Sequence, residues 1–129
     1  MSGHEKNELV IHRMANARKA LLEVDVLIEN QLWNLAINRL YYACFYAVSA
    51  LLLFKDVKSR TYNGAIQMLG KYFVSTGLIP QESGSFYSTI FSMRHKGDYE
   101  DFIAYEQDEV VDKIEPARTF IDQVENLLN

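Results

Sequence analysis

Cysteine occurs once in this chain, at Cys44, so no internal disulfide can form. A lone thiol inside an apolar run reads as a small core residue and suits a reducing, cytoplasmic setting. There are two prolines and six glycines in 129 residues, which leaves helices room to run long. The three histidines, His4, His12 and His95, share no helical face, and neither Cys-x-x-Cys nor His-Glu-x-x-His occurs. Those spacings exclude the common metal sites, and no cofactor is expected. A Gly-rich phosphate loop is also missing. The first residues, Met1 to Glu8, are polar and of mixed charge, without the apolar core of a secretory leader. The longest apolar stretch, Leu40 to Phe54, is interrupted only by Ser49. It falls short of the roughly 20 residues that span a bilayer. It reads as a buried helix, with no role at a membrane.

About half of the residues are hydrophobic (49%) and about a quarter charged (23%), which is globular composition. The length fits one domain, residues 1–129, with enough material for a core. The net charge of −4 is unevenly spread: residues 1–97 carry 11 Lys/Arg against 7 Asp/Glu, and residues 98–129 carry 2 against 10. An acidic C-terminal third is a poor platform for nucleic acid, so any RNA contact falls to the earlier part. Lys55, Lys58, Arg60 and Lys71 form the best basic candidate, either a solvated loop or a phosphate site.

Helical periodicity dominates. A first helix is expected from about Glu5 to Glu29, with Leu9, Arg13, Ala17, Leu21, Val24 and Ile28 on one face and Val10, Met14 and Leu22 widening it. A second, from about Leu32 to Phe54, is apolar on nearly every side after Leu40. It must be covered all round, in part by a second subunit. A third runs from about Tyr62 to Thr76, capped by Thr61 or Asn63 and ended by Gly77, with Pro80 beyond. A fourth starts near Ser83 or Ser85, presents Phe86, Ile90 and Met93, and is broken by Gly97. The last spans Asp108 to about Leu127, kinked at Pro116. No strand alternation is visible. The fold class is all-α: an antiparallel, up-and-down bundle of four main helices plus a short fifth.

Two arginines stand out. Arg39 sits inside the apolar second helix, where a charge is costly unless paired or used. It is read either as a buried clamp with Asp98 or as an anion-facing arginine in a cleft, with Asn38 and Tyr42 lining the same region. Arg94, four residues before Asp98, can form a helical ion pair. With His95 and Tyr99 it offers a cation, an imidazole and a phenol within six residues.

The segment Ala36-x-Asn38-Arg39-x-Tyr41-Tyr42-Ala43-x-Phe45, followed by Ala50-Leu51-Leu52, resembles the second-helix signature of the HEPN superfamily (higher eukaryotes and prokaryotes nucleotide-binding domain). Arg94-x-x-Gly97-Asp98-Tyr99 looks like the second signature of a small prokaryotic branch, and Tyr62-Asn63-Gly64 through Phe73-x-x-x-Gly77 resembles its connecting region. The resemblance covers nearly the whole chain. It implies an antiparallel helical bundle that forms homodimers and pairs with a minimal nucleotidyltransferase in toxin–antitoxin systems. Many HEPN proteins are metal-independent RNases using an Arg, four to six residues, then His; the imidazole would handle the ribose 2′-hydroxyl proton while the arginine stabilises phosphate charge. Here Tyr99, Glu100 and Asp101 stand where that histidine is expected, and Tyr62 stands where the branch often has another histidine.

The expectation is therefore a nucleotide-, RNA- or partner-binding module without RNase activity of its own. Its binding residues would be Asn38, Arg39, Tyr42, Arg94, Asp98 and Tyr99. The alternatives are an RNase with a divergent site of Arg94, His95 and Tyr99, and a structural partner in which Arg39 and Arg94 are buried clamps.

Overall fold

The chain begins with a reciprocal cap. Ser2 Oγ accepts the backbone N–H of Glu5 at 3.1 Å, and the Glu5 carboxylate accepts the N–H of Ser2 at 3.4 Å. This capping box satisfies two of the orphan donors at a helix start. It opens helix α1, Gly3–Glu29, two residues earlier than the hydrophobic stripe suggests. The computed structural model describes all 129 residues. Asn30 ends α1, and Gln31 takes a φ of 57° to reverse the chain. Helix α2 follows over Trp33–Phe54, then α3 over Tyr62–Leu69, which runs directly into a π turn at Gly70–Val74. Gly77, at φ +81°, ends that segment in the left-handed region where a side chain is strained. Helix α4 covers Gln81–Tyr99, α5 is a single turn at Gln107–Val111, and α6 covers Ile114–Asn126. There is no strand. The architecture is the all-α bundle expected, with α1, α2, α4 and α6 as its long members and α3 as the shorter fifth.

Three local expectations are corrected. Helix α4 starts behind Pro80, with no serine cap; the Pro80 carbonyl accepts the N–H groups of Ser83 at 3.0 Å and Gly84 at 3.2 Å. It also does not break at Gly97. That glycine lies inside the helix because space is short there: a Cβ would meet the Tyr105 ring at 3.1 Å and Asn34 Nδ2 at 3.6 Å. Pro116 does not kink one continuous helix either. The chain interrupts at Asp112–Lys113, and the proline falls in the first turn of α6, where its missing N–H would be unpaired in any case.

Helix α2 is the axis of the bundle. Ile37, Leu40, Tyr41, Cys44, Val48 and Leu51 are fully buried. Its 22 residues are long and apolar enough to cross a membrane by composition, yet 56% of its most apolar window is buried against its own bundle. The chain's other helices thus cover a little over half of that window. From α1 come Val10, Met14, Ala17, Ala20 and Val24; from α6 come Ala117, Phe120, Ile121 and Val124. Leu22, expected inward, is exposed instead. On α4 the buried face is Tyr87, Ile90 and Arg94, one residue round from the Phe86-based stripe. That rotation carries Arg94 inward.

Candidate functional site

Arg94 is the one charged residue in the buried set, 4% exposed on the last stretch of α4. Its guanidinium carbon lies 4.9 Å from the ring centre of Tyr41, 5.2 Å from Tyr62, 5.6 Å from Phe91, 5.8 Å from Tyr42 and 6.0 Å from Tyr99. Five aromatic rings from α2, α3 and α4 form a cage around one cation. Their negative faces replace part of the hydration the cation has lost, an interaction worth about 2 kcal/mol or more when desolvated. The charge is balanced by Asp98, one turn on, whose carboxylate lies 3.7 Å from Arg94 Nη1. Continuation of α4 through Gly97 is what places Asp98 on that turn. Arg94 Nε has no hydrogen-bond partner.

Around this cage the polar groups are partly open. Asn38 Nδ2 donates to Asp98 at 3.1 Å, tying α2 to the end of α4. The hydroxyls of Tyr42 and Tyr62 lie 3.3 Å apart. Burial, and then the hydrogen bond with Tyr62, push the Tyr42 phenol up to about 12, so it stays protonated and can donate. Burial drives Tyr41 and Tyr87, whose rings stack at 6.1 Å, upward as well.

Arg39 behaves differently from the expectation of a clamp with Asp98. It sits at the edge of the bundle and pairs with Glu23 of α1 at 3.2 Å. The reason is geometric: position 39 on α2 faces the neighbouring antiparallel helix, while Asn38, one residue round, faces the end of α4. Arg39 nevertheless reaches the same neighbourhood, with its guanidinium carbon 5.6 Å from the Tyr42 ring centre. Tyr42 thus carries both arginines.

His95 and Arg94 differ in burial, although both lie against the rings of Phe91 and Tyr99. His95 is exposed, its ring 6.3 Å from Phe91 and 5.0 Å from Tyr99. Neighbouring helical positions point about 100° apart, so burial of one turns the other to solvent. Tyr99 is 69% exposed and reaches the cage only at its rim.

Sequence reading missed several parts. Tyr41, Tyr62 and Phe91 were not seen as the walls of the cage, and Glu23 was not seen as Arg39's partner. Asn34 was also overlooked. Its side chain accepts the Tyr105 N–H at 2.9 Å and donates to the Ile103 carbonyl at 2.9 Å, pinning the acidic aromatic segment after α4. The adjacent tyrosines after Arg39 were the available signal. A second long-range cation for the same rings could not be read from local spacing. No group of His, Cys, Asp or Glu is placed to hold a metal. The site can offer a carboxamide, a carboxylate, phenol hydroxyls and one arginine to a polar ligand, with a second cation behind the rings.

Residues 12–127 match the model of the HEPN domain. The chain is 36% identical over 125 residues to a "UPF0332 protein" of Thermotoga maritima, covering 97% of this chain and 95% of that one. It is 34% identical over 110 residues to "Putative toxin MJ0605" of Methanocaldococcus jannaschii, covering 78% of this chain and 82% of that one. With a second protein of that organism, "Putative toxin MJ0142", it shares 26% over 112 residues, 87% of this chain and 76% of that one. The family match takes in both arginine-bearing helices and the core that positions them, and the chain belongs to the HEPN-domain family.

Proposed function

We propose that this chain is a binding module of a toxin–antitoxin-type pair, the companion of a minimal nucleotidyltransferase, without RNase activity of its own. Its surface of Asn38, Arg39, Tyr42, Asp98 and Tyr99 takes a nucleotide, an RNA end or the partner protein. Arg94 acts from behind that surface, holding the tyrosines and supplying positive potential. The observation that carries this reading is the closed cage. Arg94 is almost out of water, shut in by the rings, while His95 is exposed outside them. An RNase pair needs arginine and imidazole converging on one phosphodiester. Exposed Tyr99 at the rim of the site suits recognition of a protein partner. Homodimer formation belongs to the same reading: Leu22 and Val26 on α1, with Leu32 and Leu35 at the start of α2, leave apolar side chains exposed at one end of the bundle.

The test is affinity purification of the untagged native complex, repeated with Arg39→Ala and Asn38→Ala. The expected result is a co-purifying nucleotidyltransferase or retained nucleotide, lost or weakened in both variants. Unchanged recovery from folded variants would remove the site. The toxin names of two relatives favour a second reading, an RNase using Arg94, His95 and Tyr99. That reading requires RNA cleavage in excess chelator, leaving cyclic-phosphate ends and abolished by His95→Ala.

A further inference from the structure

No other large apolar side chain of the molecule is as exposed as Phe102, at 102%. Its backbone takes a φ of 67°, a left-handed conformation that is an outlier for a bulky residue. The segment around it is nevertheless held firmly. Asn34 of α2 bonds the Ile103 carbonyl and the Tyr105 N–H, both at 2.9 Å, and the Tyr105 hydroxyl donates to the Met93 carbonyl at 2.7 Å. A strained backbone fixed by side-chain hydrogen bonds, with a phenyl ring on its outside, presents that ring as an anchor. Residues 98–106 hold four carboxylates, Asp98, Glu100, Asp101 and Glu106, and no lysine or arginine. A pocket that accepts Phe102 must therefore be apolar at its floor and basic at its rim.

The chain itself carries such a pocket. A groove of about 800 Å³ opens between α1, α2 and the segment that leads into α3. Phe45, Leu53 and Val57 give it an apolar floor, Arg13, Lys58 and Arg60 give it a basic wall, and no carboxylate lines it. The two other large grooves each include one, Glu125 or Asp56. Lys55 and Lys71, grouped with Lys58 and Arg60 by sequence, lie outside it, over the rings of Phe54 and Tyr72. Phe102 does not enter the groove of its own copy, since it is fully exposed. Asn34, which holds the loop, and Leu52, which lines the groove, are 18 residues apart on α2, about 27 Å along its axis. Loop and groove thus sit toward opposite ends of one helix. Two copies set antiparallel bring each loop to the other's groove and close on a two-fold axis with two identical contacts. Leu32 and Leu35, exposed at the loop end of α2, extend the apolar contact. We propose that Phe102 of each copy seats in this groove of a second copy, with Glu100 and Asp101 against Lys58 and Arg60. The assignment rests on the homodimer reading above and adds to it the residues that set its register.

Sedimentation velocity on the full chain, as a function of concentration, tests it. Phe102→Ser removes the anchor at a fully exposed position, which leaves the core untouched, and circular dichroism checks the fold. Glu100→Lys/Asp101→Lys reverses the charge of the loop. Each is expected to weaken the dimer about tenfold or more. Adding Lys58→Glu/Arg60→Glu to the charge-reversed loop should restore affinity to within about threefold of wild type. Adding Lys19→Glu/Lys71→Glu instead, the same change of charge at exposed positions outside the groove, should restore nothing. A dimer indifferent to Phe102→Ser, or rescued no better by the groove swap than by the control swap, overturns the assignment and leaves the homodimer reading in place. A wild-type monomer at every concentration removes both.

Discussion

Arg94 keeps a full charge while nearly excluded from water, and the cage explains how. Guanidinium does not deprotonate in a protein, so its environment must accept the cation. Five ring faces and one carboxylate do so. Replacing Arg94 by Ala removes both the cation and the volume the rings pack against. A loss of about 3 kcal/mol in unfolding free energy is expected from urea titration. Arg94→Met fills most of the space without the unpaired Nε and should cost less than Arg94→Ala. Asp98→Asn should cost about 2 kcal/mol, because it leaves the nearly buried Arg94 cation without its carboxylate, an effect eased by the partial exposure of Asp98. Equal stability of Arg94→Ala and wild type would show that the cage does not hold the fold. The sequence announced that these arginines needed partners, and Asp98 at i+4 was readable from spacing. The rings were not, because three of the five, Tyr41, Tyr42 and Tyr62, reach Arg94 only through the way α2, α3 and α4 pack.

Helices set which of these groups meet. On α2, Tyr41 and Tyr42 are adjacent, one fully buried and the other partly so. Burial raises Tyr41, Tyr42 and, on α4, Tyr87 above the ordinary phenol range. The unfolded chain releases these protons near pH 10, while the folded chain holds them longer. Their contribution is fully present below about pH 10 and falls as the pH climbs toward the folded values, near 12 for Tyr42. Stability measured by thermal melting should therefore drop above about pH 10, and less steeply in Tyr42→Phe. At the far end of α4, Asn34 holds the 103–105 backbone. Asn34→Ala should cost about 2 kcal/mol, by orphaning a part-buried N–H and carbonyl, and should speed hydrogen exchange at the Tyr105 amide. Gly97→Val should destabilise by a similar amount, about 2 kcal/mol, by driving a side chain into Tyr105. The glycine looked like a helix terminator because composition cannot distinguish a break from a close approach.

The whole molecule divides its surface by charge and by polarity. Its acidic C-terminal third packs against α1 through Arg18, which pairs with Asp122 at 2.9 Å and Glu125 at 2.6 Å. Arg13, Lys58 and Arg60 lie elsewhere, on α1 and the approach to α3. The exposed Leu22, Val26, Leu32 and Leu35 are the surface where a second copy is expected to seat. Sedimentation should give a dimer for wild type and a monomer for Leu22→Glu/Val26→Glu, with thermal stability of the monomer little changed. A wild-type monomer at every concentration up to the millimolar range would reject self-association.

The all-α class, the four long helical segments and the central place of α2 were legible in the sequence itself. Apolar residues recurring every three to four positions, with few glycines and prolines to interrupt them, can be buried only as a helical bundle. The order of the arginine-bearing segments likewise carried the family resemblance. What tertiary packing alone decided was the angle at which each helix turns its face. One residue of rotation on α4 sends Arg94 inward and His95 outward, and the antiparallel seating of α1 gives Arg39 to Glu23. Side-chain partners across a bundle depend on interhelical registry and crossing geometry, which are set by the summed fit of the whole core and by no local pattern.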